Sequence, residues 1–333
     1  MAQGHMIPMV DIAKLLASRH GVLVTIVTTP VNAARFKSPL DRAINELRLP
    51  ITVVQLRFPC SEAGLPENCE CVDLLPSVAS LAGIFRAAAL MEPQVETLFQ
   101  TLNPPPSCIV SDFCLPYTNR DEFQSCASSD HEYFVVPGFP GGIELTREQL
   151  PLQSKKPGDD LGKAESEAES EAYGVIVNSF EEMEAEYLKE FKEAKQGRVW
   201  CVGPVSLTKR FELDDLERGN SSSSVRVDQC LSWLDDKECN SAIYICLGSI
   251  CNLSSAQLIE LALGLEASEK VFVWVVKEIE KTKELLEWMA DEKFEERVSP
   301  RGMVIRGWAP QCRGSIGDVA YVCGSILQRE ANR

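Results

Sequence analysis

Apolar residues recur along the chain at two alternating periods. Met9, Ile12, Ala13 and Leu16 fall at i, i+3, i+4 and i+7, which predicts an amphipathic helix over 8–18 with proline in its first turn and Gly21 past its end. Residues 22–28 form an unbroken β-branched run, the mark of a strand buried on both faces, and 51–56 reads as a second. Helical spacing returns at Leu81, Ile84, Phe85 and Ala88, then at Val95, Leu98, Phe99 and Leu102. It is broken at Pro93 and closed by Pro104-Pro105-Pro106. Residues 108–112 follow as a short strand ending in the carboxylate of Asp112.

Residues 119–142 show no period, and 155–172 are polar and of low complexity, so both read as loop. Order resumes with a strand over 174–178, a helix over 181–194 and a strand over 199–202 stopped by Gly203-Pro204. The charged, serine-rich stretch 209–224 reads as a linker. Beyond it come strand 241–247, helix 254–266, strand 271–276, helix 281–291 and strand 303–305. Ser254 and Gln257 have capping-box spacing at the start of the first of these helices. Residues 312–333 show no clear element. Strands alternating with helices predict parallel α/β sheets on both sides of the linker: one domain over 1–208, the linker 209–224, and a second domain over 225–333.

Composition narrows the partners. Among 333 residues, 33 Lys and Arg face 49 Asp and Glu, a formal charge of −16 that repels phosphate backbones and anionic lipid and argues against nucleic-acid binding. The 13 cysteines are scattered, odd in number and partly set in apolar runs, as reduced thiols of a cytoplasmic protein are. Cys69 and Cys71 have no second pair at zinc-ligand spacing, so no metal is expected. The most apolar stretch, 78–91, is short and contains Arg86, which excludes a membrane span there, and the amino terminus has no basic n-region or apolar h-region of a secretory signal.

Candidate chemistry collects where strands end and helices begin, the edge at which open parallel sheets bind ligands. His5 is expected just ahead of the first helix, where the helix amino terminus disfavours imidazolium and leaves a proton acceptor. Asp112, at a strand end, can orient that ring and stabilise its cation. The plainer alternative is a loop histidine and a capping aspartate. Gly248-Ser249 follows a strand and precedes a helix, and serves equally as a phosphate contact or an ordinary turn. Trp308 ends another strand, where an indole stacks on a flat base or covers core. Trp233, Trp274 and Trp288 sit inside helix or strand patterns and read as core. A dinucleotide oxidoreductase would carry Gly-x-Gly-x-x-Gly between a strand and a helix, and this chain has none.

Six stretches carry a resemblance: Met1-Ala2-Gln3-Gly4-His5-Met6-Ile7-Pro8-Met9, Ser111-Asp112-Phe113-Cys114-Leu115-Pro116-Tyr117, Tyr173-Gly174-Val175-Ile176-Val177-Asn178-Ser179-Phe180-Glu181, Cys230-Leu231-Ser232-Trp233-Leu234-Asp235, Leu247-Gly248-Ser249 and Gly307-Trp308-Ala309-Pro310-Gln311. In this order they resemble the plant UDP-sugar-dependent glycosyltransferases, nearest the group acting on flavonols, terpenoids and hormones. The resemblance implies a GT-B fold, two Rossmann-like α/β domains facing a cleft, with the acceptor on the first and UDP-glucose or a related UDP-sugar on the second. It implies an inverting displacement without metal or cofactor, the UDP-sugar being a co-substrate. His5 matches the base and Asp112 its partner. Ser249 matches a residue near the phosphates, Trp308 the platform under uracil, Ala309 a backbone contact to uracil and Gln311 a ribose contact.

The chain departs from the family pattern in three places. Met1 falls after the family's first strand, the segment between Tyr117 and Tyr133 is shorter than in the family, and the donor signature stops after Gln311. The second domain is therefore expected to be incomplete, and the alternative function is a truncated, catalytically inactive fragment lacking most of the donor box.

Overall fold

The computed structural model describes residues 3–76, 80–112, 131–135, 140–146, 172–207, 227–238, 241–247, 253–276, 282–307 and 320–323. The chain divides into two compact units, Met1–Ser107 with Lys209–Arg333, and Cys108–Thr208. The stretch 209–224 lies outside the described residues.

In the first unit, helix α1 runs Gln3–Ala17 with Gln3, Met6, Val10, Ala13 and Ala17 buried along one stripe. The helix starts five residues before the expected 8–18, so Pro8 is internal. Tertiary burial overrides the local signal. Proline forfeits one backbone bond near the helix start and costs about 3 kcal/mol mid-helix. Packing Met6 against Phe36, Leu40 and Cys71 offsets much of that, at about 1.5–3 kcal/mol for a buried methionine.

Strand β1 (Val24–Thr28) pairs in parallel with β2 (Ile51–Gln55), Val24 opposite Ile51 through Thr28 opposite Gln55. Helices α2 (Pro30–Arg35) and α3 (Lys37–Asn45) lie between them in the chain. The expected two-sided burial of β1 does not occur. Thr25 and Val27 are exposed, while Val24 and Ile26 pack with Ala17, Ala43 and Ile51. Among the described residues, one face of this two-stranded sheet is covered and the other is not. Helices α4 (Leu81–Ala89) and α5 (Glu92–Thr101) divide at residues 90–91, just ahead of the break expected at Pro93, which instead sits in the first turn of α5, and Ile84 and Ala87 of α4 pack on Cys60, Ala63, Leu65 and Cys69.

In the second unit the strand expected at 108–112 is absent. Ile109 is 60% exposed, and no described residue supplies the ladder that would turn a β-branched run into a strand. Two short strands appear instead, β3 (Phe134–Val135) within the stretch that shows no period and β4 (Glu144–Leu145) just beyond it, paired antiparallel. Strands β5 (Val175–Val177) and β6 (Val199–Cys201) are parallel and joined through α6 (Glu181–Ala194), whose bounds coincide with expectation. After β6, Asn178 Oδ1 accepts from Val205 N at 2.9 Å.

The carboxyl-terminal part of the first unit holds α7 (Val227–Asp235) and a four-stranded parallel sheet ordered β10-β7-β8-β9. Its strands are β7 (Ala242–Cys246), β8 (Val271–Val276), β9 (Gly302–Arg306) and β10 (Ala320–Cys323). Strand β10 overturns the reading of 312–333 as lacking any element. Four residues are too few to show a period, and the strand is fixed by register on β7, Ala320 opposite Ile243 through Cys323 opposite Cys246.

Helices α8 (Ser255–Ala267), α9 (Lys283–Asp291) and α10 (Phe294–Val298) pack on one face of that sheet, around Phe272, Trp274 and Val276. Trp233 and Leu234 of α7 pack on the other, against Tyr244, Val273, Val275 and Ile305. The capping box forms as read: Ser254 Oγ accepts from Gln257 N, and Gln257 Oε1 accepts from Ser254 N. Arg297 of α10 grips Glu266 of α8 through two bonds of 2.8 and 3.0 Å, and Arg301 donates to the Glu266 carbonyl at 2.6 Å, satisfying the helix end.

Phe294 is fully buried, edge-on to Trp274 at 6.5 Å. Phe294→Ala should lower stability in urea by about 3–5 kcal/mol. Ser254→Ala, which removes only a cap, should cost about 1 kcal/mol. A larger loss from the cap than from the ring would place the core of this sheet elsewhere.

Candidate active site and relatives

From β7 the chain passes to β8 and then β9 on one side, and returns to place β10 on the other side of β7. This reversal is the topological switch point at which doubly wound sheets hold nucleotides, beyond the carboxyl ends of the strands. Strand β7 ends at Cys246 and β9 at Arg306, with Gly307 N donating to the Val276 carbonyl at 2.8 Å. Ser249, Trp308, Ala309 and Gln311 follow those strand ends in sequence and lie outside the described residues.

His5 is half-buried in the first turn of α1, not ahead of the helix as expected. Asp112 is half-buried at the end of a stretch without regular structure rather than of a strand. The two belong to different compact units, each described by itself.

The turn that carries His5 is fastened by residues the sequence reading did not single out. Gln3 Nε2 donates to Asp73 Oδ2 at 3.3 Å, and Arg35 Nη2 of α2 meets the same oxygen at 2.7 Å. The Arg35 and Asp73 side chains are only 10% and 18% exposed. Burial by itself would raise the Asp73 carboxyl, but the bond and charge of Arg35 hold it below its ordinary value. Burial and the Asp73 charge push the thiol of Cys71 up to about 12, so it stays protonated. The neighbouring Glu70 accepts from Val31 N at 2.8 Å in the first turn of α2, and Asn32 Nδ2 donates to Thr29 Oγ1 at 2.8 Å.

Cys69 and Cys71 are therefore core thiols, Cys69 Sγ donating to the Leu74 carbonyl at 3.3 Å. The available sequence signal was the stretch Cys69-Glu70-Cys71-Val72-Asp73, two carboxylates set among cysteines and a valine. Cys60, Cys69, Cys71, Cys108, Cys201 and Cys230 carry free thiols. Among the described residues no cluster of three or more His, Cys, Asp or Glu is placed to hold a metal ion, and no helix is long and apolar enough to cross a membrane.

A parallel sheet with helices on both faces and a switch point beside its first strand places this part of the chain among nucleotide-binding α/β folds. No family model matches the chain. It is 47% identical over 359 residues to UDP-glycosyltransferase 73C11 of Barbarea vulgaris, covering 97% of this chain and 72% of that protein. It is 46% identical to UDP-glycosyltransferase 73C6 of Arabidopsis thaliana with the same coverage. Glycyrrhiza uralensis UGT73P12, solved with glycyrrhetinic acid 3-O-monoglucuronide, superposes with a TM-score of 0.78 at 30% identity, over 100% of this chain and 73% of that one. Arabidopsis thaliana UGT89C1 with UDP-L-rhamnose superposes at 0.63 and 25% identity, over 98% of this chain and 74% of that one. The chain belongs to the plant UDP-glycosyltransferase family and has its GT-B fold. Likeness over most of the relatives' length favours the transferase over the inactive-fragment alternative.

The Asp73 pair fixes a pH dependence of stability. With its folded value depressed, the carboxylate contributes fully at neutral pH, and that contribution is lost as pH falls from about 4 through the lowered folded value, because the unfolded chain takes up its proton first. Asp73→Asn strands the buried Arg35 guanidinium and should destabilise by about 3–5 kcal/mol at pH 7. The gap to the parent should narrow below pH 4 in urea melts, and an equal gap at every pH would show that the pair is not what titrates.

Proposed function

We propose that the chain transfers a sugar, glucose in the first instance, from a UDP-sugar to a hydroxyl of a small lipophilic acceptor with inversion at the anomeric carbon. The observation that carries this is membership of the UDP-glycosyltransferase family over 97% of the chain. The switch point beside β7, with Ser249 three residues past one strand and Trp308 two residues past another, supports a donor site at that edge. In this reading the second domain over 225–333 binds the donor. Ser249 lies near the phosphates, Trp308 stacks on uracil, Ala309 offers a backbone contact and Gln311 meets the ribose.

Residues 1–208 bind the acceptor. His5 takes the proton of the acceptor hydroxyl as its oxygen bonds to the anomeric carbon. The bond from that carbon to the diphosphate oxygen breaks with its electron pair, and UDP leaves. Asp112 holds the ring and offsets the charge on the imidazolium. No metal or cofactor enters the proposal. UGT89C1 solved with quercetin and UGT73P12 solved with glycyrrhetinic acid 3-O-monoglucuronide support a flavonol, terpenoid or hormone-like acceptor bearing a hydroxyl. The free thiols found among the described cysteines support a cytoplasmic location.

A UDP-release assay of the full chain with UDP-glucose and a flavonol tests the reading. Turnover is expected, and His5→Ala should reduce it by about 100-fold or more, the contribution of a general base. UDP affinity measured by calorimetry should stay within about twofold, because the base acts on the acceptor. Retention of most turnover in His5→Ala removes the assignment of the base, and no transfer with any UDP-sugar removes the function.

A further inference from the structure

The first turn of a helix leaves its leading N–H groups unpaired, so the aim of a side chain carried there depends on tertiary contacts rather than on the helix itself. His5 is the third residue of α1, between Gln3 and Met6 on the buried stripe. Met6 packs on Phe36, Leu40 and Cys71. Gln3 makes a directional contact, its amide donating to Asp73 Oδ2 at 3.3 Å across 70 residues of chain. Asp73 cannot drift, because Arg35 of α2 holds the same oxygen at 2.7 Å.

Asp73 Oδ1 and Arg35 Nη1 are buried without a hydrogen-bond partner among the described residues, so the pair depends on its one charged contact. Glu70, three residues before Asp73, fastens the same loop to the first turn of α2 through Val31 N. The loop is thus tied at one point to the start of α2 and at another to the start of α1.

We infer that Asp73, gripped by Arg35, is a positioning residue that fixes the first turn of α1 through Gln3 and so aims the His5 imidazole at the acceptor hydroxyl. The inference rests on the reading of His5 as base. A brace for the fold alone would change stability and leave the chemical step unaltered. A positioning contact changes kcat, since small misplacements of a catalytic group cost rate steeply.

Gln3→Met in the full chain keeps side-chain length, helix preference and packing while removing the donor. Its kcat should fall by about tenfold with the KM for UDP-sugar unchanged, and Gln3→Lys, which again presents a donor to Asp73, should recover most of the loss. In a His5→Ala background Gln3→Met should cost nothing further. Independently of turnover, hydrogen exchange at the amides of Ile7, Met9 and Val10 should quicken at least about fivefold in Gln3→Met, return in Gln3→Lys, and stay unchanged in β8.

Unchanged exchange and kcat in Gln3→Met, a change confined to KM, or no recovery in Gln3→Lys would each overturn the inference. If His5→Ala keeps its turnover, the base reading falls and takes the catalytic half of this inference with it. If His5 is essential and exchange ignores Gln3, the positioning contact falls alone.

Discussion

Strand β8 must be dry on both faces, and the architecture of the carboxyl-terminal part follows from that. Phe272, Trp274 and Val276 point to one side, Val273 and Val275 to the other, and all five are buried. A strand with that pattern is stable only as an inner member of a sheet with helices above and below. Helices α8, α9 and α10 meet one requirement and α7 the other, while β7 and β9 satisfy its backbone. The parallel crossovers this arrangement requires bring successive strand ends to one edge, and the switch point for a nucleotide comes with them.

The amino-terminal part solves a different problem. Among the described residues its sheet is two strands with one face covered, so apolar packing alone holds less of it together. A charged pair, a capping carboxylate and an amide do the remaining positioning around Asp73 and Glu70. Such contacts gain less free energy than core packing does, but they are directional, and direction is what the role of base proposed for His5 requires.

Elements encoded locally were legible in the sequence. The capping box at Ser254 and Gln257, the bounds of α6 and those of β8 depend on neighbours within a few residues, and the structure places them where the pattern does. What depends on distant partners was not legible. The run 108–112 has strand composition but no described ladder, β10 is defined by β7 some 75 residues earlier, and α1 begins early because of what Met6 and Gln3 meet. Of the candidate site, His5, Asp112, Ser249 and Trp308 came from the strand-edge rule, and Ala309 and Gln311 from the family motifs. The Gln3–Asp73–Arg35 contact spans 70 residues and no spacing rule reaches it.

The small sheet of β5 and β6 has a consequence for the behaviour of the protein in solution. Among the described residues its two parallel strands pair with each other, and the row of backbone donors and acceptors on each outer edge meets no other described strand, beside the exposed Ile176 and Trp200. Such edges invite strands from another molecule. The connecting helix α6 presents Glu181, Glu182, Glu184, Glu186, Glu190 and Glu193 to solvent, and the chain as a whole carries −16. Mutual repulsion between copies is thus the guard on these edges. It is a guard of ionic origin, strongest in dilute buffer near neutrality and weakened by concentrated salt or by acid that neutralises the glutamates, so colloidal stability is tied to the charge on a helix that takes no part in the proposed chemistry.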